Sequence, residues 1–146
     1  MSGGSHAPGD SPGFLLWRVT NRWQRTIVAE LGPLDLTHVQ FVLLASVWWL
    51  ARNGEAPPTQ RDVAEHARTD PMMTSQVLRV LERRGLVTRA RDPDDRRARR
   101  LSPTARGTRL AERAIAVVEA ADRAFFEAAE PDVVLRVLRL LDGPGR

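Results

Sequence analysis

Apolar positions along this chain return mostly with helical spacing, and in one short stretch with the alternation of a strand. From Phe14 to Leu31, Leu15, Val19, Trp23 and Ile27 recur every four residues, with Leu16 and Leu31 widening the stripe, which predicts an amphipathic helix. Gly32-Pro33 ends it. Thr37 and Gln40 then form a capping-box pattern, with Leu36 and Phe41 as its hydrophobic staple. The helix they open runs to Asn53-Gly54 and is apolar almost all round through Val39, Val42, Leu43, Val47 and Leu50, so it is expected to be central and buried.

After the Pro57-Pro58 connector, Thr59 caps a short helix with Val63, Ala64 and Ala67 inward. Asp70 caps the next, because Pro71 disfavours helical geometry in its predecessor and itself suits the first turn. That helix runs to Arg84 with Val77, Leu78 and Leu81 inward, and Gly85 supplies the stop. Leu86–Arg91 alternates as a strand, Asp92-Pro93-Asp94-Asp95 is turn chemistry, and Arg97–Leu101 returns as the second strand. Thr104 caps a long helix reaching Phe126, and Pro131 opens a last one with Val134, Leu138 and Leu141 as its stripe. Two capped helices followed by a β-ribbon are the layout of a winged helix-turn-helix. The predicted class is therefore mainly α with a small antiparallel β-wing.

The organisation expected is a disordered leader over 1–13, one domain over 14–142 and a frayed tail over 143–146. Within the domain, 36–102 is the winged-helix lobe, and 14–35 with 103–142 are dimerisation helices. The terminal stripes are too long for a lobe of about 70 residues to cover alone, and apolar patches of that size mark a partner, by default in a two-fold homodimer.

Composition narrows the chemistry. The 146 residues include no cysteine, which excludes disulfides, thiolate metal sites and cysteine nucleophiles. No apolar run is long enough to span a bilayer and no signal-peptide pattern opens the chain, so a cytoplasmic protein with no membrane partner is expected. His6, His38 and His66 lie on separate segments, and neither a Gly-rich phosphate loop nor a metal-spaced cluster is present. No metal, cofactor or enzymatic activity is expected.

The net charge is +4, but its distribution is uneven. Residues 79–109 hold 11 Arg against 4 acidic residues, a net +7, while the stretches on either side are each net negative. A localised basic block on a folded module is the footprint of a polyanion partner, here double-stranded DNA. The second helix of the pair is the expected reader, with Pro71, Met72, Thr74, Ser75, Gln76 and Arg79 on its solvent face. Gln can pair with adenine, Arg with guanine, and Met can touch a thymine methyl. The positive end of that helix also favours phosphate. On the ribbon, Asp95-Arg96-Arg97 puts a carboxylate two residues before a guanidinium that it could orient into a narrow minor groove. Thr59, Gln60 and Arg61, with Arg89 and Arg99, complete the candidate contacts.

The motifs resemble the multiple antibiotic resistance regulator (MarR) family of winged-helix repressors. They are Leu36–Phe41, Thr59–Glu65, Leu81–Val87, Asp92-Pro93-Asp94-Asp95-Arg96-Arg97 and Pro103–Gly107, in that order. The resemblance implies a homodimer held by the first and last two helices, with recognition helices in successive major grooves of a pseudo-palindromic operator. It makes Arg97 the minor-groove arginine, Asp95 its partner, and Ser75 and Gln76 readers. It also implies a repressor released when a small, often aromatic, effector enters a cleft beside the DNA-binding lobe. Trp17, Arg18, His38, Trp48 and Trp49 are the candidate lining of that cleft. The family's cysteine-sensing branch is closed to this chain, and Pro71-Met72-Met73 stands where small polar or basic residues are usual. The rival readings are a winged-helix module that binds protein, since fold does not fix function, and a small enzyme.

Overall fold

The computed structural model describes residues 7–144. Its helices are α1 (Pro12–Leu31), α2 (His38–Asn53), α3 (Gln60–Ala67), α4 (Pro71–Arg83), α5 (Ala105–Phe126) and α6 (Pro131–Asp142). Between α4 and α5, strands β1 (Val87–Arg91) and β2 (Arg99–Pro103) pair antiparallel, with Arg89 opposite Leu101. The architecture is helical with a two-stranded wing, as the pattern predicts.

Side-chain caps set most helix starts. The Thr37 hydroxyl accepts from the Gln40 N–H at 3.2 Å while the Gln40 carboxamide accepts from the Thr37 N–H at 3.1 Å, and Thr59 with Asp62 repeats the box at 3.1 and 2.9 Å. Each box satisfies donors that a helix end would otherwise leave open. Asp70 accepts from the Met73 N–H at 2.8 Å. Gly85 takes φ +72° after α4, the left-handed stop that glycine adopts without strain.

Two boundaries differ from the sequence reading. A 3-10 turn at Pro8–Asp10 precedes α1, which begins at Pro12 with Ser11 as its cap, so residues 7–13 are structured where a disordered leader was expected. Residues 1–6 of that leader and 145–146 of the expected tail lie outside the described residues. The second strand begins at Arg99 instead of Arg97, because residues 92–98 are held as a closed loop. There the Asp92 N–H donates to the Ala98 carbonyl at 3.2 Å and the Ala98 N–H to that of Asp95 at 3.1 Å.

α2 runs through the centre, meeting α1, α3, α4, α5 and β2. Leu43, Leu44 and Val47 pack with Ile27, Leu31, Val63, Leu78, Leu81, Leu86 and Leu101 in one core. The outer half of α1 and all of α6 are different. α6 buries no residue, and Leu15, Trp17, Leu138 and Leu141 are exposed.

α5 is fastened where α4 ends. The Thr104 N–H donates to the Leu86 carbonyl at 3.0 Å, its hydroxyl donates to the Gly85 carbonyl at 2.7 Å, and the same hydroxyl accepts from the Gly107 N–H at 2.9 Å. A Cβ on Gly107 would lie 1.8 Å from the Leu86 carbonyl oxygen, so only glycine lets α5 cross there. Gly107→Ala is expected to cost at least about 2 kcal/mol of folding stability through overpacking against backbone, measured by chemical denaturation. An unchanged midpoint would refute the crossing.

Candidate nucleic-acid interface

The outward row of α4 follows from its inward one. Thr74, Leu78 and Leu81 are buried, and their spacing leaves Met72, Gln76, Arg79 and Arg83 on the opposite face. Met72 is 72% exposed. Thr74, expected among the solvent-facing readers, is fully buried. Its hydroxyl donates to the Asp70 carbonyl at 2.7 Å and sits 2.6 Å from the Thr69 hydroxyl. Thr74 therefore joins α4 to the preceding turn and cannot meet a base. The signal was in the sequence, since Thr74 falls on the same stripe as Leu78 and Leu81.

The wing lies on the same side as this row. One concavity of about 610 Å³ is lined by Thr59, Gln60 and Arg61 of α3 and its cap, Ser75 and Arg79 of α4, and Arg89, Asp95, Arg97 and Arg99 of the wing. Five guanidinium groups thus face a shared space with one carboxylate. Pro71 lines a neighbouring concavity with Gln60 and Arg61, and Met72, Gln76 and Arg96 are exposed beyond them. Guanidinium groups collected over a concave surface attract phosphate and narrow grooves.

Two details of that face depart from expectation. Asp95 does not orient the Arg97 side chain; its carboxylate accepts from the Arg97 backbone N–H at 3.0 Å and so shapes the loop. At the start of α4 the Asp70 carboxylate already occupies the Met73 N–H, so that donor is satisfied within the chain.

The tie between wing and helices is the feature sequence reasoning missed. Asp92, only 7% exposed within an otherwise exposed tip, accepts from Arg100 Nε at 2.9 Å and Nη2 at 2.8 Å and from the Asp94 N–H at 2.8 Å. Arg100 Nη1 donates onward to the Pro57 carbonyl at 2.6 Å. Arg89 donates to the Gln60 carboxamide from the other side of the ribbon. The Asp94 N–H, with Arg100 beside it, holds the Asp92 carboxyl below its ordinary value, although burial opposes this.

The five candidate effector residues fall into three separate environments. Trp17 and Arg18 line a concavity along the outer face of α1. His38 lies edge-on to Trp23 at 5.1 Å, and burial lowers its pKa against the opposing pull of Asp122. Trp48 stacks with Arg52 at 5.0 Å, and Trp49 is half exposed beside it. Trp23, one of the four tryptophans that could line the cleft, donates to Asp122 at 2.8 Å and joins α1 to α5 next to His38. Among the described residues, no group of three or more acidic or histidine side chains could hold a metal ion, and no single helix is long and apolar enough to cross a membrane.

Helix pair, wing and basic concavity define a winged-helix DNA-binding protein. Comparison with known proteins agrees. A MarR family profile matches residues 36–98. The HTH-type transcriptional regulator YdcH of Bacillus subtilis is 45% identical over 122 residues, covering 84% of this chain and 82% of the relative. An HTH-type transcriptional repressor of Mycobacterium tuberculosis is 38% identical over 115 residues, covering 77% and 78%. CouR of Rhodococcus jostii RHA1, solved bound to p-coumaroyl-CoA, superposes with a TM-score of 0.77 at 32% identity, covering 94% and 93%. The chain belongs to the MarR family of transcriptional regulators.

A titration tests the wing tie. Because the folded Asp92 pKa lies below the ordinary 3.8, its stabilising contribution is complete above that pH and is lost as pH falls through the lower folded value. Side-chain carboxyl shifts followed by NMR should give an Asp92 midpoint below 3.8; a midpoint at or above it would contradict the tie.

Proposed function

We propose that this chain is a homodimeric, sequence-specific repressor that binds a pseudo-palindromic operator in the cytoplasm and leaves it when a small aromatic ligand binds. The observation that carries the reading is the shared concavity, where Arg61, Arg79, Arg89, Arg97 and Arg99 accompany a single carboxylate. In it, residues 36–102 form the DNA-binding lobe, while 14–35 and 103–142 carry the dimer contact. The exposed apolar rows of α1 and α6 support that contact, since covering them removes apolar surface from water. Repression is supported by the relative described as a repressor, and the binding of an aromatic ligand by the p-coumaroyl-CoA complex of CouR. No catalytic role is assigned to any residue.

On this reading Gln76, Arg79, Met72 and Ser75 approach the major groove, and Arg97 and Arg96 a flanking minor groove. Arginine–phosphate contacts supply most of the affinity, so binding weakens steeply with salt, and base contacts set the choice of sequence. The operator is defined by selecting bound sequences from random duplexes. Arg97→Ala should then weaken operator binding by about 1–3 kcal/mol, read by fluorescence anisotropy; unchanged affinity would remove Arg97 from the interface. Gln76→Ala should flatten the preference at one base position while leaving binding to unrelated DNA intact. A uniform loss across sequences would contradict a reading role.

Dimerisation has its own check. Leu138→Glu places a charge on an exposed apolar row of α6, and sedimentation should report monomers. A dimer that persists would move the contact elsewhere.

A further inference from the structure

Asp92 and Arg100 belong to none of the expected DNA contacts, yet they form the most enclosed ion pair among the described residues. A two-stranded ribbon is marginally stable by itself, so its angle to the helices depends on attachments. One is backbone: the Leu101 N–H donates to the Pro58 carbonyl at 2.8 Å, and Thr59 bridges Arg100. A second, Arg89 with Gln60, lies within the basic concavity, where a nucleic acid could compete for it. The third lies behind. Arg100 lines a different concavity, beside Pro58 and Asp62.

We infer that Asp92 and Arg100 are a positioning pair that holds the wing at a fixed angle to α3 and α4, so that Arg97 meets DNA from the same side as the α4 row. The inference rests on the DNA-binding reading above. One carboxylate links the end of β1, the tip at Asp94 and the start of β2, and Arg100 passes that connection to the Pro57 carbonyl ahead of α3. The hydrogen bonds are charge-assisted and short, and removing either partner leaves the other charge poorly compensated. Loss of the pair would free the tip while leaving the helical core intact.

The test is a double-mutant cycle on the full chain with Asp92→Ala, Arg97→Ala and both together, using operator duplexes. Asp92→Ala alone should weaken operator binding about fivefold, and should add almost nothing once Arg97 is gone, because both act through the same guanidinium. Arg100→Lys keeps the charge but cannot serve both Asp92 and the Pro57 carbonyl, so it should match Asp92→Ala. A structural role alone would give additive losses, and additivity overturns the inference. Hydrogen exchange on the free protein is the second arm. Amides of residues 94–98 should exchange faster in Asp92→Ala while those of α4 are unchanged; unaltered exchange at the tip also overturns it. Should the wild-type protein select no sequence at all, the repressor reading fails, and the exchange result still decides whether the pair holds the wing.

Discussion

The crossing of α5 over the Leu86 carbonyl is the contact on which the rest of the arrangement depends. At this point α4 has just ended before Gly85, β1 is about to begin, and the N-terminus of α5 passes directly over both. Thr104 serves all three, using its N–H and its hydroxyl on consecutive carbonyls while capping the helix it opens. Arg106 adds a bond to the Arg84 carbonyl at 3.1 Å. Backbone-to-backbone contact of this closeness admits no side chain on Gly107, so the angle between the long helix and the wing is fixed where they cross. Packing at interior density carries that angle through Leu101 and Ala111 into the core.

Above that junction the electrostatics work against folding and in favour of binding. Five arginines around one concavity repel one another, and the fold tolerates them by giving several a local acceptor. Arg61 pairs with Glu65 at 3.0 Å, Arg89 with Gln60, and Arg99 donates to the Arg96 carbonyl at 3.2 Å. These contacts are exposed or neutral, so a phosphate can replace them at small cost. The Asp92–Arg100 pair is of another kind, turned away from that surface and mostly enclosed. The wing therefore combines exchangeable contacts on its binding face with a fixed one behind.

Trp23, His38 and Asp122 join α1, α2 and α5 immediately beside the cap of the central helix. A neutral imidazole is favoured there because burial disfavours its charge. This junction joins the first, second and fifth helices through polar side chains. Arg84 makes a further polar tie, joining the end of α4 to Gln40 of α2 and to Asp35 just before it.

Much was legible in the chain because local chemistry is written locally. Thr37, Thr59, Asp70, Gly85 and Thr104 mark helix ends through hydrogen bonds spanning three or four residues, and these need no distant partner. The concentration of arginine between 79 and 109 is likewise a property of the sequence. What the tertiary structure decided was the role of groups whose meaning depends on residues far away in the chain. Thr74 turned inward because Thr69 and the core received it. Asp95 went to backbone, and Asp92, which looked like one more turn residue, met Arg100 and through it Pro57. Periodicity reports which way a side chain points from its own helix. Only the packing of remote segments supplies the acceptor, the cavity or the opposing charge that gives it work.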